Sequence, residues 1–297
     1  MGDPPTEGVA RLQDATLSRG ARLSPDAKLS QGATPPHVSL LGVTRFYPAG
    51  NGRLHALGPV DLQLRKGEFF AVVGPSGCGK STLLEMISAL APPTGGVVEF
   101  EGRPIGNCVP EGVGVVFQEN ACFPWLTVAD NVTFGLRRMP VVSEEIERRL
   151  QYALQLMGLE DFAKSYPSQL SGGMRQRVCI ARTLVTQPRL ILLDEPFGAL
   201  DQQTRLLMGD ELLRIWRATG ATVLLITHAL DEAAMLADRV AVMSSRPGRI
   251  LEIIETGWPA TRDSRIVSDP AFGSITGRLW TLLREQSLHA LQPTPSA

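Results

Sequence analysis

Five apolar residues, Phe69-Phe70-Ala71-Val72-Val73, run without a break into Gly74-Pro75-Ser76-Gly77-Cys78-Gly79-Lys80-Ser81-Thr82. A continuous apolar run of that length suits a parallel strand covered on both faces. The stretch 74–82 matches G-x-x-x-x-G-K-[ST], and residues 81–90 then show helical apolar spacing. Strand, glycine loop and helix in that order are the setting in which this pattern cradles phosphates with backbone N–H groups at a helix N-terminus. Lys80 is expected to bridge the β and γ phosphates of a nucleotide and Ser81 to hold Mg²⁺.

The rest of the chain supplies the sheet that such a loop needs. Short strands are expected at 38–46, 60–64, 97–100, 113–117, 190–193, 222–227 and 240–243, and helices at 172–186, 204–218 and 230–236. Alternating strands and helices around a phosphate loop argue for an α/β core with a parallel sheet. The first two strands flank a Gly/Pro/Asn-rich turn at 48–52 and are expected to form an N-terminal antiparallel β-subdomain. A charged, helically spaced block at 127–158 interrupts the alternation and reads as an inserted α-helical subdomain, about 120–188. Residues 1–36 are rich in Ser, Gly, Pro and Ala and are expected to form a disordered tail. The core domain is then 37–258, followed by a C-terminal extension, 259–297, with one amphipathic helix near 270–288.

Composition narrows the function classes. The 297 residues are 43% apolar with a net charge of −1, which leaves no overall electrostatic footprint for nucleic acid. The opening residues are polar and no apolar run nears the roughly 20 residues of a spanning helix, so neither a secretory leader nor a membrane span is expected. Cys78, Cys108, Cys122 and Cys179 lack paired metal-ligand spacing and read as ordinary reduced cysteines. Cys78 is set apart by its place in the phosphate loop, where a helix N-terminus favours thiolate.

Two carboxylates, Asp194 and Glu195, close the apolar run 190–193. A strand end aims both at the carboxyl edge of the sheet, where open α/β sheets bind ligands. Asp194 is expected to orient Mg²⁺, and Glu195 to act as general base toward an attacking water. Between loop and carboxylates, Ser171-Gly172-Gly173 opens a helix. Bare glycines, a hydroxyl and a helix dipole make a second anion-binding device. Ser171 can equally serve as a helix N-cap.

In this order, 74–82, Leu170-Ser171-Gly172-Gly173-Met174-Arg175-Gln176 and 190–196 resemble the ATP-hydrolysing subunit of ATP-binding-cassette (ABC) transporters, over roughly residues 37–255. The resemblance implies further roles. Tyr47 matches the aromatic that stacks on adenine, Gln118 the glutamine that touches Mg²⁺ and the attacking water, Asp201 the acidic residue of the loop after the carboxylates, and His228 the histidine that contacts the γ-phosphate. It also implies that Ser171, Gly172 and Gly173 serve ATP held by a second copy, in a head-to-tail dimer. Met174 and Ala229 depart from the residues common at those positions.

Phe123-Pro124-Trp125-Leu126-Thr127-Val128, Pro196-Phe197-Gly198-Ala199-Leu200-Asp201 and Ser244-Ser245-Arg246-Pro247-Gly248-Arg249-Ile250 look like the importer branch for nitrate, alkanesulfonates, taurine and related small nutrients. That branch implies a bacterial system: two transmembrane permease subunits, a periplasmic substrate-binding protein, and an ATPase on the cytoplasmic face of the inner membrane. Trp125 is expected to pack while its neighbours form the groove for the membrane subunit. Three rivals fit less well. A soluble ABC ATPase of DNA repair or the ribosome calls for a second cassette, a coiled coil or zinc cysteines. A non-hydrolysing regulatory module has no need of Glu195 and His228. A kinase with a phosphate loop has no need of the Ser171 helix.

Overall fold

The computed structural model describes residues 35–291 apart from 51, 119, 120 and 199. All but the last two residues of the tail expected at 1–36 lie outside the described residues, as do 292–297 of the C-terminal extension. The strands are β1 (Val38–Ala49), β2 (Gly52–Leu64), β3 (Phe69–Val73), β4 (Gly95–Phe100), β5 (Arg103–Pro104), β6 (Val113–Val116), β7 (Leu190–Asp194), β8 (Thr222–Thr227), β9 (Arg239–Met243) and β10 (Ile250–Glu255). The helices are α1 (Lys80–Ile87), α2 (Val128–Thr133), α3 (Ser143–Met157), α4 (Gly172–Leu184), α5 (Gln202–Thr219), α6 (Leu230–Leu236) and α7 (Pro270–Leu291).

Two sheets organise the molecule. The antiparallel one runs β2-β1-β4-β5, and the larger one runs β10-β9-β3-β8-β7-β6. In the larger sheet β9, β3, β8, β7 and β6 are parallel, and only the edge strand β10 is antiparallel to its neighbour. This is the parallel core with an antiparallel subdomain that the sequence implies. Every residue of β3 is buried, and its side chains divide by parity. Phe69, Ala71 and Val73 enter one core with residues of the helices α2 to α7; Phe70 and Val72 enter the other, with α1 and the antiparallel sheet. The period-2 geometry of a strand sends alternate residues to opposite faces, so a strand that serves two cores has no polar face.

Several elements differ from the sequence reading, the two-residue β5 among them. Pairing with β1 extends β2 back to Gly52, through residues 52–59 that show no alternation; register shifts at Leu40/Val43, Val43/Arg45 and Arg45/Phe46 absorb the irregularity. The helical block 127–158 is broken into α2, a 3₁₀ turn over Phe134–Arg138, and α3. Pro140 lies in the gap, and a proline inside a helix removes a backbone donor and clashes with the preceding turn. β10 is an edge strand with only Ile254 fully buried, so it carries little apolar signal. In the C-terminal extension, the guanidinium of Arg262, 2% exposed, reaches Asp238 Oδ1 at 2.7 Å and the carbonyl of Leu236, and Phe272, Leu279 and Leu283 of α7 join the helical-side core.

Candidate nucleotide and hydrolysis site

The order β3-β8-β7-β6 decides what meets at the carboxyl edge. The loop 74–79 leaves the end of β3, His228 follows β8, Glu195 follows β7, and Gln118 follows β6 by two residues. Four neighbouring strand ends therefore deliver four groups of the site. A cleft of about 420 Å³ is lined by Tyr47, Ser76, Gly77, Gly79, Lys80, Ser81, Thr82, Gln118, Glu195 and Arg246, with Leu54 and Ala56. A roomier cavity, about 510 Å³, lies elsewhere, against α3 and Arg189, and none of these groups lines it.

The loop is held in shape from below. Gly79 has φ +106°, the left-handed region that favours glycine, and it turns the chain into α1. Gly248 approaches so closely that a Cβ there would stand 2.0 Å from the Cys78 carbonyl oxygen. Arg246 donates from Nε and Nη2 to the Gly77 carbonyl at 3.2 and 3.1 Å. Gly74 and Pro75 offer their carbonyls to Lys80 Nζ at 2.8 and 3.2 Å, so the ammonium, on a side chain that is largely buried, folds back on its own loop. Cys78 is buried, and burial pushes its thiol up, against the pull of Lys80. It is a packed thiol, as the plain reading of the sequence holds.

Opposite the loop, Ser81 Oγ donates to Asp194 Oδ1 at 3.4 Å. Burial raises the Asp194 carboxyl and the neighbouring charge of Glu195 adds to this, while the Ser81 hydrogen bond opposes it. Glu195 has φ +45°, an uncommon conformation for a non-glycine residue and one that clusters at functional sites. Its backbone N–H donates to the Ile226 carbonyl at 2.8 Å. Its Oε2 accepts from Gln118 Nε2 at 3.1 Å and stands 3.1 Å from His228 Nδ1. Tyr47 Oη and Thr82 Oγ1 are 3.3 Å apart, and the Arg45 guanidinium lies 4.7 Å over the Tyr47 ring.

Mg²⁺ fits the donors present. Among the described residues no group of three or more His, Cys, Asp or Glu side chains gathers as an all-protein metal cage. A hydroxyl and a carboxylate, Ser81 and Asp194, converge beside the phosphate loop, and Gln118 gives its amide nitrogen to Glu195, leaving its oxygen. Few hard oxygen ligands plus phosphate oxygens are how Mg²⁺ is commonly bound.

Ser171, Gly172, Gly173 and Asp201 line none of this cleft; Asp194 and His228 do not line it either, but they reach its Ser81 and Glu195. Ser171 Oγ accepts from Met174 N at 3.3 Å, capping α4; Asp201 accepts from Thr204 N at 3.0 Å, capping α5, and the Thr204 hydrogen bonds lower its carboxyl. Trp125 reverses its expectation: it is 71% exposed. Phe123 packs instead, 4.5 Å from the Phe134 ring and 5.1 Å beneath the Arg182 guanidinium. Arg246, with Leu54 and Ala56, lines the cleft without being among the residues expected from the sequence. Its place in a segment resembling the importer branch was a signal of relevance, with nothing in the local pattern to aim it at Gly77.

A glycine loop at the edge of a parallel sheet, facing a carboxylate gripped by a glutamine and a histidine, defines a P-loop ATPase. Comparison with known proteins goes further. A model of the ABC transporter family matches residues 57–198. The chain is 42% identical to the bicarbonate transport ATP-binding protein of Synechocystis sp., covering 91% of this chain and 97% of that protein. It is 39% identical to the nitrate import ATP-binding protein of the same organism, covering 84% and 95%. It is also 44% identical to a spermidine/putrescine import ATP-binding protein of Thermobifida fusca, covering 83% and 62%. A dimeric ATP-binding cassette solved in a post-hydrolysis state with ADP and phosphate superposes with a TM-score of 0.66 at 34% identity, over 75% of this chain and all of that one. The chain belongs to the ATP-binding, ATP-hydrolysing subunits of the ABC transporter family. Among the described residues no helix is long and apolar enough to cross a membrane.

Proposed function

We propose that this chain powers import of a small anionic nutrient, such as nitrate, an alkanesulfonate or taurine, through separate membrane subunits, as a head-to-tail dimer at the cytoplasmic face of a bacterial inner membrane. The observation that carries the hydrolytic reading is the Glu195 carboxylate, whose Oε2 is touched by both Gln118 and His228. With Oε2 so occupied, Oε1 is the oxygen that takes a proton from the attacking water. Gln118 orients that water and the carboxylate together. His228, turned to Glu195 by Nδ1, offers Nε2 to the γ-phosphate. Lys80 exchanges its two carbonyl partners for the β and γ phosphates, and the loop amides from Gly74 to Gly79 complete the cradle. Ser81 and Asp194 hold Mg²⁺, which when bound offsets negative charge on the phosphate oxygens. Adenine stacks on the face of Tyr47 that Arg45 leaves free, and Thr82 holds the tyrosine hydroxyl.

The residues left outside the cleft argue for a second copy. Ser171, Gly172, Gly173 and Asp201 form ligand-directed elements in the sequence, yet none of them lines the Lys80 cleft. A partner whose Ser171 helix faces that cleft closes it and excludes water. The nitrate and bicarbonate relatives support the small-anion reading, and the exposed Trp125 supports a docking surface for a permease. A binding protein delivers the substrate outside; nucleic acid has no part. The experiment is co-expression with the genetically neighbouring permease and binding protein in vesicles. ATP turnover stimulated by the loaded binding protein for one small anion supports the reading, and stimulation by a polyamine contradicts it.

A further inference from the structure

Cys122 and Cys179 lie 57 residues apart in sequence, yet their sulfurs are 3.5 Å apart. Cys122 sits in the segment just after Gln118, and Cys179 sits two turns into the body of α4, the helix that Ser171 opens. Neither is a lone thiol. Cys179 is 4% exposed, whereas Cys122 is only partly buried. Cys122 Sγ also reaches the Arg175 carbonyl at 3.4 Å.

The backbone around the pair is fastened independently of the sulfurs. Arg182 donates from Nη1 to the Ala121 carbonyl at 2.7 Å, and its Nη2 stands 4.0 Å from Cys179 Sγ. Buried Asn131 donates to the carbonyls of Phe123, Leu126 and Thr127 and accepts from Phe123 N. A disulfide has its sulfurs about 2.05 Å apart, so the pair needs to close by only about 1.5 Å. That is a side-chain adjustment within a segment already docked on α4.

We propose that Cys122 and Cys179 are a redox-active dithiol, which hydrogen peroxide converts to a disulfide that ties the segment after Gln118 to the Ser171 helix. Loss of one proton from the pair leaves a thiolate on Cys179, held by the Cys122 S–H and by Arg182. The hydrogen bond from the partner thiol, with help from the nearby guanidinium, lowers the Cys179 thiol against the opposing effect of its burial. The thiolate attacks one peroxide oxygen; the O–O bond breaks, giving a sulfenic acid on Cys179 and hydroxide, which takes up the released proton. The Cys122 sulfur then attacks the sulfenic sulfur; its proton leaves with the displaced hydroxyl as water. Two thiols are oxidised by two electrons, one peroxide is reduced, and two waters form. A thiol reductant reverses the bond.

The bond itself is inferred from geometry alone. Its consequence for turnover rests on the roles proposed for Gln118 and Ser171. Because both elements serve the ATP site in that account, a covalent tie between them slows hydrolysis.

The test uses the full chain carrying Cys108→Ser, which removes the exposed thiol outside the pair. The protein is treated with hydrogen peroxide, blocked, digested without reductant and mapped by mass spectrometry. The expected product is a peptide pair joined through Cys122 and Cys179, two hydrogens lighter than the reduced pair, absent after dithiothreitol and absent in a Cys122→Ser variant. Unlinked peptides, at a peroxide dose that oxidises Cys108 of the unmodified chain, overturn the dithiol assignment. ATP turnover is then compared before oxidation, after it, and after reduction. A severalfold reversible loss that Cys122→Ser escapes supports the consequence. A linked peptide with unchanged turnover overturns the consequence alone, and a chain inactive before oxidation counts against the ATPase account, not the dithiol.

Discussion

His228 Nδ1 stands 3.1 Å from Glu195 Oε2, and the two residues occupy equivalent places, each the first beyond its strand. Because β7 and β8 are parallel neighbours with Asp194 beside Ile226, the two side chains are brought together by register. Glu195→Gln keeps the shape of this pair and removes the base. Turnover is expected to fall by about 10²-fold or more while ATP affinity holds, as the loss of a general base does. Phosphate release and nucleotide binding, measured on one preparation, check it; turnover near wild type removes Glu195 from the role assigned to it.

Lys80→Ala is expected to act on binding instead. A charge-assisted contact to phosphate is lost, and such hydrogen bonds contribute roughly 1.5–3 kcal/mol, or about 10- to 100-fold in affinity. Arg246→Ala is the milder companion. It frees the Gly77 carbonyl and loosens the loop from outside, and a weakening of ATP binding by about threefold to tenfold is expected, with the melting temperature unchanged. Isothermal titration with a slowly hydrolysed ATP analogue separates the two, and unchanged affinity in Arg246→Ala makes that contact incidental.

These two arginine and lysine positions show where the sequence was legible. Asp194, Glu195 and His228 sit at strand ends, Gln118 two residues past β6 and Lys80 at the close of the loop that leaves β3, and a strand end can be located from a short apolar run. The parallel core follows from the same runs. Arg246 was hidden because its target, Gly77, is a carbonyl 169 residues away that no local pattern encodes. The Cys122–Cys179 approach is hidden for the same reason, being set by how the segment after Gln118 docks on α4. The early half of β2 and all of β10 lack the apolar alternation that announces a strand; backbone pairing with β1 and β9 holds them.

Glu232 offers a test of the support behind His228. It lies on α6, almost wholly buried; its Oε2 accepts from Thr227 Oγ1 at 2.5 Å, and the same hydroxyl accepts from Ala229 N at 3.0 Å, bracketing His228. Burial pushes its carboxyl from 4.5 up to about 7, opposed by Thr227 and Arg205 and reinforced by Glu195. A raised carboxyl makes the folded state bind the proton more tightly than the unfolded state. Its contribution to stability is therefore full below about pH 4.5 and is lost as pH rises through 7. The stability of wild type relative to Glu232→Gln is expected to drop by roughly 2–3 kcal/mol between pH 5 and pH 8. Urea unfolding at the two pH values checks it, and a constant difference contradicts it.

Trp125, 71% exposed beside the packed Phe123, is the surface expected to meet the membrane subunits. Trp125→Ala should leave ATP affinity within about twofold and weaken co-purification with the permease by roughly tenfold or more, as loss of an aromatic interface anchor does. Normal assembly in that variant moves the docking surface elsewhere.

The central claim is that each ATP is held by Lys80 of one subunit and Ser171 of the other. Mixed dimers test it most directly. When one subunit carries Lys80→Ala and its partner Ser171→Arg, the account places both lesions on one ATP site and leaves the other whole. When a single subunit carries both substitutions beside a wild-type partner, the account places one lesion on each site. ATP hydrolysed in a single turnover, counted per tagged and purified mixed dimer, is expected to be about one for the split arrangement and about none for the doubly substituted one, since only the split arrangement keeps a whole site. The reverse pattern, activity in the doubly substituted pair and none in the split pair, means that each chain serves its own ATP and contradicts the account.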